Sequence, residues 1–518
     1  MNNRIFIAAT LLLITVLAIQ YFTHKNDVTK NGMQEVESGR FYNAPAQKCW
    51  HRNPNREIDF IDKSVDPKKE RETIVETEGY IAKFSNFGGI LKSFIYKHKI
   101  GKSDESIQII SNDTLDAKEE GCFLLAFEEK TPYVYKLIGD INEENVRKIV
   151  YQVKYDGWLV KKIYSLNKDS YRIDLNFEFI KENKNATSIL PRLLFSSPYA
   201  ADIKDNEING FVNKSVNRLD KVTSSEELTG VWGSPEIFGA EDKYFSSCLV
   251  KDANNFVLGG YYKRVNRKLF SIVESDELKD SKNFSISFYM GPKLLSSLVN
   301  VDERLEQLLS FGWLSWFCKI LLRLLDIFYQ YFGNYGIAII VLTVFIKIPF
   351  IPLTIITRNK IEEYQKFQPT ITRIKNKYRN DLQKQQEEIV KFHKEHGISP
   401  AAPIVGCLPL FIQLPILFAL YRFLGNYLSL YNAPFTLWIK DLSAKDPYYV
   451  LPLLMGATML FLQQSSPGGD EKQRIFMMFM PIIMTAVFMN FPAGLALYWL
   501  INNILTIFED VLRKRVFS

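Results

Sequence analysis

The spacing of apolar and polar positions divides the chain into two unlike halves. From about 70 to 300, short segments alternate: Tyr80–Phe84 (YIAKF), Ile149–Tyr155 (IVYQVKY), Trp158–Tyr164 (WLVKKIY) and Tyr171–Ile180 (YRIDLNFEFI). They are rich in β-branched and aromatic residues and bounded by Gly, Asn and Asp, as half-buried strands are. An all-β sandwich is the expected fold over 71–300. Further on, the alternation gives way to long apolar runs. The segment 335–357 contains YGIAIIVLTVFIKIPFIPLTII, about the ~20 residues that cross a hydrocarbon core. Four more candidate spans lie within 400–512, roughly Ile404–Leu424, Tyr448–Leu462, Phe476–Asn490 and Ala493–Phe508. Near the start, Arg4 precedes an apolar run from Ile5 to Phe22 that is long for a cleaved signal and is followed by no A-x-A-like site. Residues 1–23 therefore read as an uncleaved signal anchor. The expectation is a polytopic α-helical membrane protein of six spans carrying an extramembrane all-β sandwich.

The connecting segments orient these spans. Residues 24–70 are polar, lack periodicity and read as a linker. Asp302–Leu309 reads as a helix leading out of the β-region, and 301–334 as connecting and amphipathic interfacial helices. In the latter, Lys319, Arg323, Asp326 and Gln330 share one helical face of an otherwise apolar stretch. The charged stretch 358–399 reads as a helical hairpin, with Pro369 interrupting it early and Asn380–Asp381 marking the turn. Arg373, Lys375, Lys377 and Arg379 lie near that turn, and such positive charge marks the cytoplasmic side. The short basic tail 513–518 falls on the same side, which leaves the β-domain outside.

Composition narrows the chemistry. The net charge of +7 is modest for 518 residues, so specific nucleic-acid binding is not implied. The mean hydropathy of -0.07 averages over the two halves. Five dispersed cysteines form neither a disulfide framework nor a zinc site, and His393 and His396 read as solvated residues of one helix face. Gly101-Lys102-Ser103 resembles part of a phosphate-binding loop, but Tyr96 stands where its first glycine is required. Outside the membrane, His51 and His98 lie near no obvious carboxylate pair. No metal, no cofactor and no enzymatic activity is expected.

Lys347 is the residue that points to function. A charge at the centre of a span costs roughly 2.5–3.5 kcal/mol on insertion scales. That cost is met by a water-filled cavity, a charge partner or a transport path, unless the lysine snorkels to the headgroups. Thr343 lies one turn away, and Trp499, Asn502, Asn503 and Thr506 share a face of the last span, while Gln413 sits among apolar neighbours in the third. These groups could be interhelical hydrogen-bond glue. Because the nearest carboxylates, Glu509 and Asp510, belong to the end of the last span, the expectation is an unpaired ammonium in a hydrated, positively charged concavity open to the cytoplasm.

The segments Gly336–Thr354, Gly406–Tyr421 (GCLPLFIQLPILFALY), Ala433–Tyr449 (APFTLWIKDLSAKDPYY) and Phe491–Asn503 (FPAGLALYWLINN) resemble the YidC/Oxa family of membrane protein insertases. Phe87-Gly88-Gly89, Asp242-Lys243-Tyr244-Phe245 and Gly291-Pro292-Lys293 resemble the large periplasmic domain of its Gram-negative members. The resemblance implies an inner-membrane insertase with a five-helix core. Its hydrophilic groove takes the polar tail of a nascent transmembrane segment, whose apolar part slides out into lipid. By position in the motifs, Lys347, Thr343, Gln413, Trp499 and Asn502 match the groove, and Leu414, Leu417 and Val487 match the slide. Lys347 stands where the family usually has arginine; the charge is kept without the planar fork. The segment Ser399–Cys407 is about three residues longer than the usual Asn-Pro-x-x-Gly-Cys, and the chain ends without a long basic tail. The partners implied are nascent membrane proteins, the Sec translocon, the ribosome and targeting factors through the hairpin, and membrane lipids. A transporter of ions or small solutes is the alternative, although no paired halves with matching broken spans are evident.

Overall fold

A computed structural model describes residues 58–61, 66–100, 103–111, 121–127, 130–199, 207–215, 218–223, 230–265, 268–309, 311, 314–397, 408–464 and 471–517. The expected anchor over 1–23, most of the linker and the SPAAPIVGC segment lie outside these residues. The chain folds as two compact units that divide between residues 310 and 311.

The first unit is β-rich. Among the described residues it holds a four-stranded, a five-stranded and a nine-stranded antiparallel sheet. The alternation read from the sequence is realised in the strand Trp158–Asn167, where every second residue is buried. Its neighbour Arg172–Lys181 pairs with it from Trp158↔Lys181 to Leu166↔Ile173 and buries the complementary set. Edge-on contacts with Phe288 of the nine-stranded sheet are made by Phe195 of the five-stranded sheet and by Phe123, just before that sheet's strand Leu124–Ala126, at 5.2 and 4.8 Å between ring centroids. Each buried phenylalanine contributes roughly 1.5–3 kcal/mol.

Lys162 sits on that buried face with no exposed surface. Its Nζ donates to the main-chain oxygens of Gly88 (3.2 Å), Gly89 (2.7 Å) and Phe123 (2.7 Å). The two glycines have φ of +70° and +53°, a region that L side chains avoid. That conformation turns both carbonyls toward the lysine, which gives Phe87-Gly88-Gly89 a physical role. Further along, the buried carboxylate of Asp242 accepts from the amides of Tyr244 and Phe245 (2.8 and 2.7 Å) and closes a turn. Phe245 then pairs with Pro292, and Lys293 reaches back to Glu241 at 3.2 Å. The eleven-residue strand Lys282–Pro292 is hydrogen-bonded on both sides, by Phe245–Asp252 and by Arg172–Lys181. The chain leaves it through helix α1 (Leu295–Val301). The helix expected over Asp302–Leu309 is a 3-10 helix, Glu303–Leu308, capped by the Asp302 carboxylate.

The second unit is helical: α2 (Ser315–Phe332), α3 (Tyr335–Lys347), α4 (Ile351–Lys377), α5 (Leu382–Glu395), α6 (Leu408–Leu424), α7 (Val450–Gln464), α8 (Glu471–Phe488) and α9 (Ala493–Phe517). Helix α9 packs on α3, α6 and α7, while α2 packs on α3 and α6. Among the described residues one helical segment, Ala493–Arg513, is long and apolar enough to cross a membrane. Tyr335–Phe350, Gln413–Leu424, Val450–Gln463 and Met478–Phe488 are shorter apolar stretches.

A single 3-10 turn, Ile348–Phe350, links α3 to α4 directly. Two local expectations change. Helix α4 runs through Pro369, because proline's fixed φ is itself helical and a long helix carries the lost hydrogen bond at roughly 3 kcal/mol. Asp326 leaves the polar face expected of α2: its carboxylate accepts from the hydroxyls of Tyr427 (2.6 Å) and Tyr335 (3.4 Å), tying α2 to neighbouring elements. The hairpin turn itself is as read, with Asp381 capping α5 through the amide of Lys384.

Candidate functional site

Lys347 ends α3, where a cation suits the partial negative charge of the helix C-terminus. Pro349 and Pro352 follow within the next turns. Its Nζ donates to the main-chain oxygen of Asn502 (3.0 Å) and to Thr506 Oγ1 (2.5 Å), and lies 3.7 Å from Glu509 Oε2. Asn502, Thr506 and Glu509 recur at i, i+4 and i+7, so one face of α9 receives the ammonium. Thr506 Oγ1 also donates to the Asn502 oxygen at 2.8 Å. The lysine is therefore partnered, which corrects the expectation of an unpaired ammonium. Helix α9 continues to Phe517, so Glu509 belongs to the body of a helix and faces Lys347.

A cavity of about 360 Å³ adjoins this cluster. Val344, Ile351, Leu505 and Phe508 contribute apolar wall, and Lys347, Glu509 and Arg513 contribute charge. The concavity is thus of mixed sign and largely apolar, where a hydrated, positively charged one was expected.

The other candidate residues occupy separate settings. Thr343 is buried and returns its hydroxyl to the Ile339 oxygen of its own helix (2.7 Å). Gln413 on α6 donates to the Tyr498 hydroxyl on α9 at 3.4 Å. Trp499 is buried, with its ring 5.4 Å from that of Phe488 on α8. Asn503 joins α9 to α7 through the Met455 oxygen and Thr458 Oγ1 (3.4 and 3.1 Å). Leu414, Leu417 and Val487 are half-buried. On the hairpin, Arg373, Lys377 and Arg379 are exposed and Lys375 is half-buried. Lys347 and Asn502 are thus in direct contact, through the asparagine's backbone.

Sequence reading missed Glu509, Arg513 and Tyr498 as site residues. The i, i+4, i+7 series from Asn502 could have revealed Glu509 had the last helix been extended. The loop Ala433–Tyr449 is ordered by Asp446, which accepts from Trp438 Nε1 (3.0 Å) and the Leu451 amide (2.7 Å). That loop docks on the start of α9 through Ala493 N to Ala444 O and Gly494 N to Leu442 O.

The chain thus joins a β-rich unit to a unit of apolar helices that seat a lysine against a partner helix. Residues 73–324 match the family described as YidC periplasmic domain, and residues 327–518 match the family described as 60Kd inner membrane protein. A membrane protein insertase YidC from Geotalea daltonii is 34% identical over 477 residues, covering 88% of this chain and 89% of that one. One from Lawsonia intracellularis is 30% identical over 539 residues and covers 99% of each. A crystal structure titled as an active YidC insertase with its first transmembrane domain resolved is 20% identical, covers 85% of this chain and 92% of that one, and has a TM-score of 0.39. On the sequence matches, the chain belongs to the YidC family of membrane protein insertases, inner-membrane proteins with a periplasmic domain. Insertion, rather than transport of ions or solutes, is its function.

Proposed function

We propose that the cluster around Lys347 is where the polar tail of a nascent transmembrane segment is received. The single observation behind this reading is a lysine seated in an apolar helix run beside a cavity, hydrogen-bonded to a facing helix. Moving a polar tail across hydrocarbon is unfavourable because its backbone and charged groups lose water. A notch partway through the membrane shortens the dry path. Burial of the apolar segment and the membrane potential then drive the remainder without nucleotide or cofactor. The process makes no covalent bond, and the chain is not an enzyme.

In this reading six spans cross the inner membrane and α2 lies in its interface. The β-rich unit is a sandwich on the periplasmic side that serves as a binding or interaction module. Gln413, Thr343, Trp499 and Asn502 line or support the groove, and Leu414, Leu417 and Val487 form the path into lipid. Arg373, Lys375, Lys377 and Arg379 offer the ribosome or targeting factors a basic surface. The Sec translocon and membrane lipids complete the partners.

The test is insertion of a short single-span protein with an acidic tail into liposomes holding only this chain, without nucleotide. Wild type is expected to insert it, and Lys347→Ala to lose most of that activity. Insertion by both proteins alike would remove Lys347 from the mechanism. Failure of folded wild type would refute autonomous insertion.

A further inference from the structure

We propose that Glu509 sets the charge specificity of this site: it is a built-in counter-ion that an acidic cargo tail must displace from Lys347. The inference rests on the reading of Lys347 above and assigns control of that same site.

The Lys347 ammonium donates to α9 at Asn502 O (3.0 Å) and Thr506 Oγ1 (2.5 Å). Glu509 Oε2, at 3.7 Å, is close enough for an ion pair and too far for a hydrogen bond. Both side chains are shielded, with 12% and 19% of their surface exposed, so the attraction is less screened than at an open surface. A cargo carboxylate reaching the usual ~2.8 Å would make the charge-assisted bond that Glu509 does not.

Its arrival places two carboxylates at one ammonium, and their repulsion opposes entry. Glu509 has somewhere to turn. Arg513 lies four residues on, one helical turn away, and lines the same cavity. The apolar walls at Val344, Ile351, Leu505 and Phe508 offer room for the side chain beside the incoming acid. A neutral tail gains nothing from Lys347 and cannot dislodge Glu509. The resident carboxylate therefore lowers the advantage of an acidic tail over a neutral one, and yields to a tail that can hydrogen-bond the lysine.

The experiment is full-length protein in liposomes with two cargoes that differ only in an acidic or a neutral tail, read as the ratio of their insertion rates. Glu509→Gln keeps the shape and removes the charge, and the acidic-to-neutral ratio is expected to rise about tenfold, or ~1.4 kcal/mol. Glu509→Asp keeps the charge and should hold the ratio within about twofold of wild type. The double variant Lys347→Gln/Glu509→Gln should bring the ratio near one, because neither charge remains. A merely structural role would lower both rates together in Glu509→Gln and leave the ratio unmoved, which refutes the counter-ion while the Lys347 reading stands. A ratio unmoved by Lys347→Ala as well would overturn both.

Discussion

Replacing Lys162 by methionine removes a buried charge while nearly conserving volume. The ammonium donates to three main-chain oxygens, and its nitrogen lies 5.4 and 5.5 Å from the ring centroids of Tyr135 and Tyr164. Burial pushes its pKa well below the ordinary lysine range, so taking it out of water is unfavourable by several kcal/mol, and methionine would relieve that. Against this stand the acceptors left behind. Gly89 O keeps the Tyr164 hydroxyl at 2.6 Å, but the oxygens of Gly88 and Phe123 lose the donor described here. Two buried carbonyls each deprived of a donor cost roughly 1–3 kcal/mol apiece. With the relieved desolvation offsetting most of that total of about 2–6 kcal/mol, the net expectation is a loss of about 1–2 kcal/mol, or a melting temperature lower by ~2–8 °C for a domain of this size. The assay is thermal unfolding of the full chain in nanodiscs, with hydrogen exchange read over residues 86–91 and 121–126. Both segments should lose protection in the variant. A Lys162→Met protein that melts at or above the wild-type temperature, with both segments still protected, would show that desolvation outweighs the three bonds and refute the reasoning.

Two further outcomes are expected. Glu241 is raised by burial, but Lys293 and Lys221 outweigh that and hold it below its usual 4.5. The unfolded chain then takes up this proton first on acidification, so the contribution is complete above pH 4.5 and fades as pH falls through the folded-state value. Glu241→Gln should flatten the fall in urea midpoint of the full chain below that pH, and an unchanged slope would exclude Glu241 as its source. A Cβ at Gly336 would lie 2.0 Å from the Phe435 ring, so Gly336→Ala should destabilise the helical unit by ~1–3 kcal/mol through overpacking. Thermal stability in detergent measures it, and a wild-type value would mean that the loop moves aside without penalty.

Where the sequence carried a local period, its reading matched the structure closely. WLVKKIY falls within the strand Trp158–Asn167, YRIDLNFEFI falls on the strand Arg172–Lys181 from its second residue on, and the last apolar runs fall on α6 to α9. What depended on distant residues was not legible. Lys162 looks in WLVKKIY like one of two adjacent solvent lysines, and the oxygens it binds lie 39 to 74 residues away. Glu509 was placed at a span end because hydropathy stops near Phe508, whereas backbone hydrogen bonding carries α9 to Phe517. Lys347 and Thr506 meet across 159 residues, a separation no local period encodes. Pro369 misled in the opposite sense, since a proline disfavours a helix interior without forbidding it.

The strand Lys282–Pro292 has a mechanical consequence. It is the last strand of its sheet in chain order, and it is bonded along both edges before the chain enters α1. Tension applied to the chain at that exit would pull parallel to the strand. It would load two ladders of hydrogen bonds in shear together, because antiparallel bonds run perpendicular to the strands. An edge strand peeled from its end gives way one bond at a time; this one must break many at once. Traction from the following segment would meet a stiff anchorage, and a load strong enough to extract the strand would unravel the nine-stranded sheet around it.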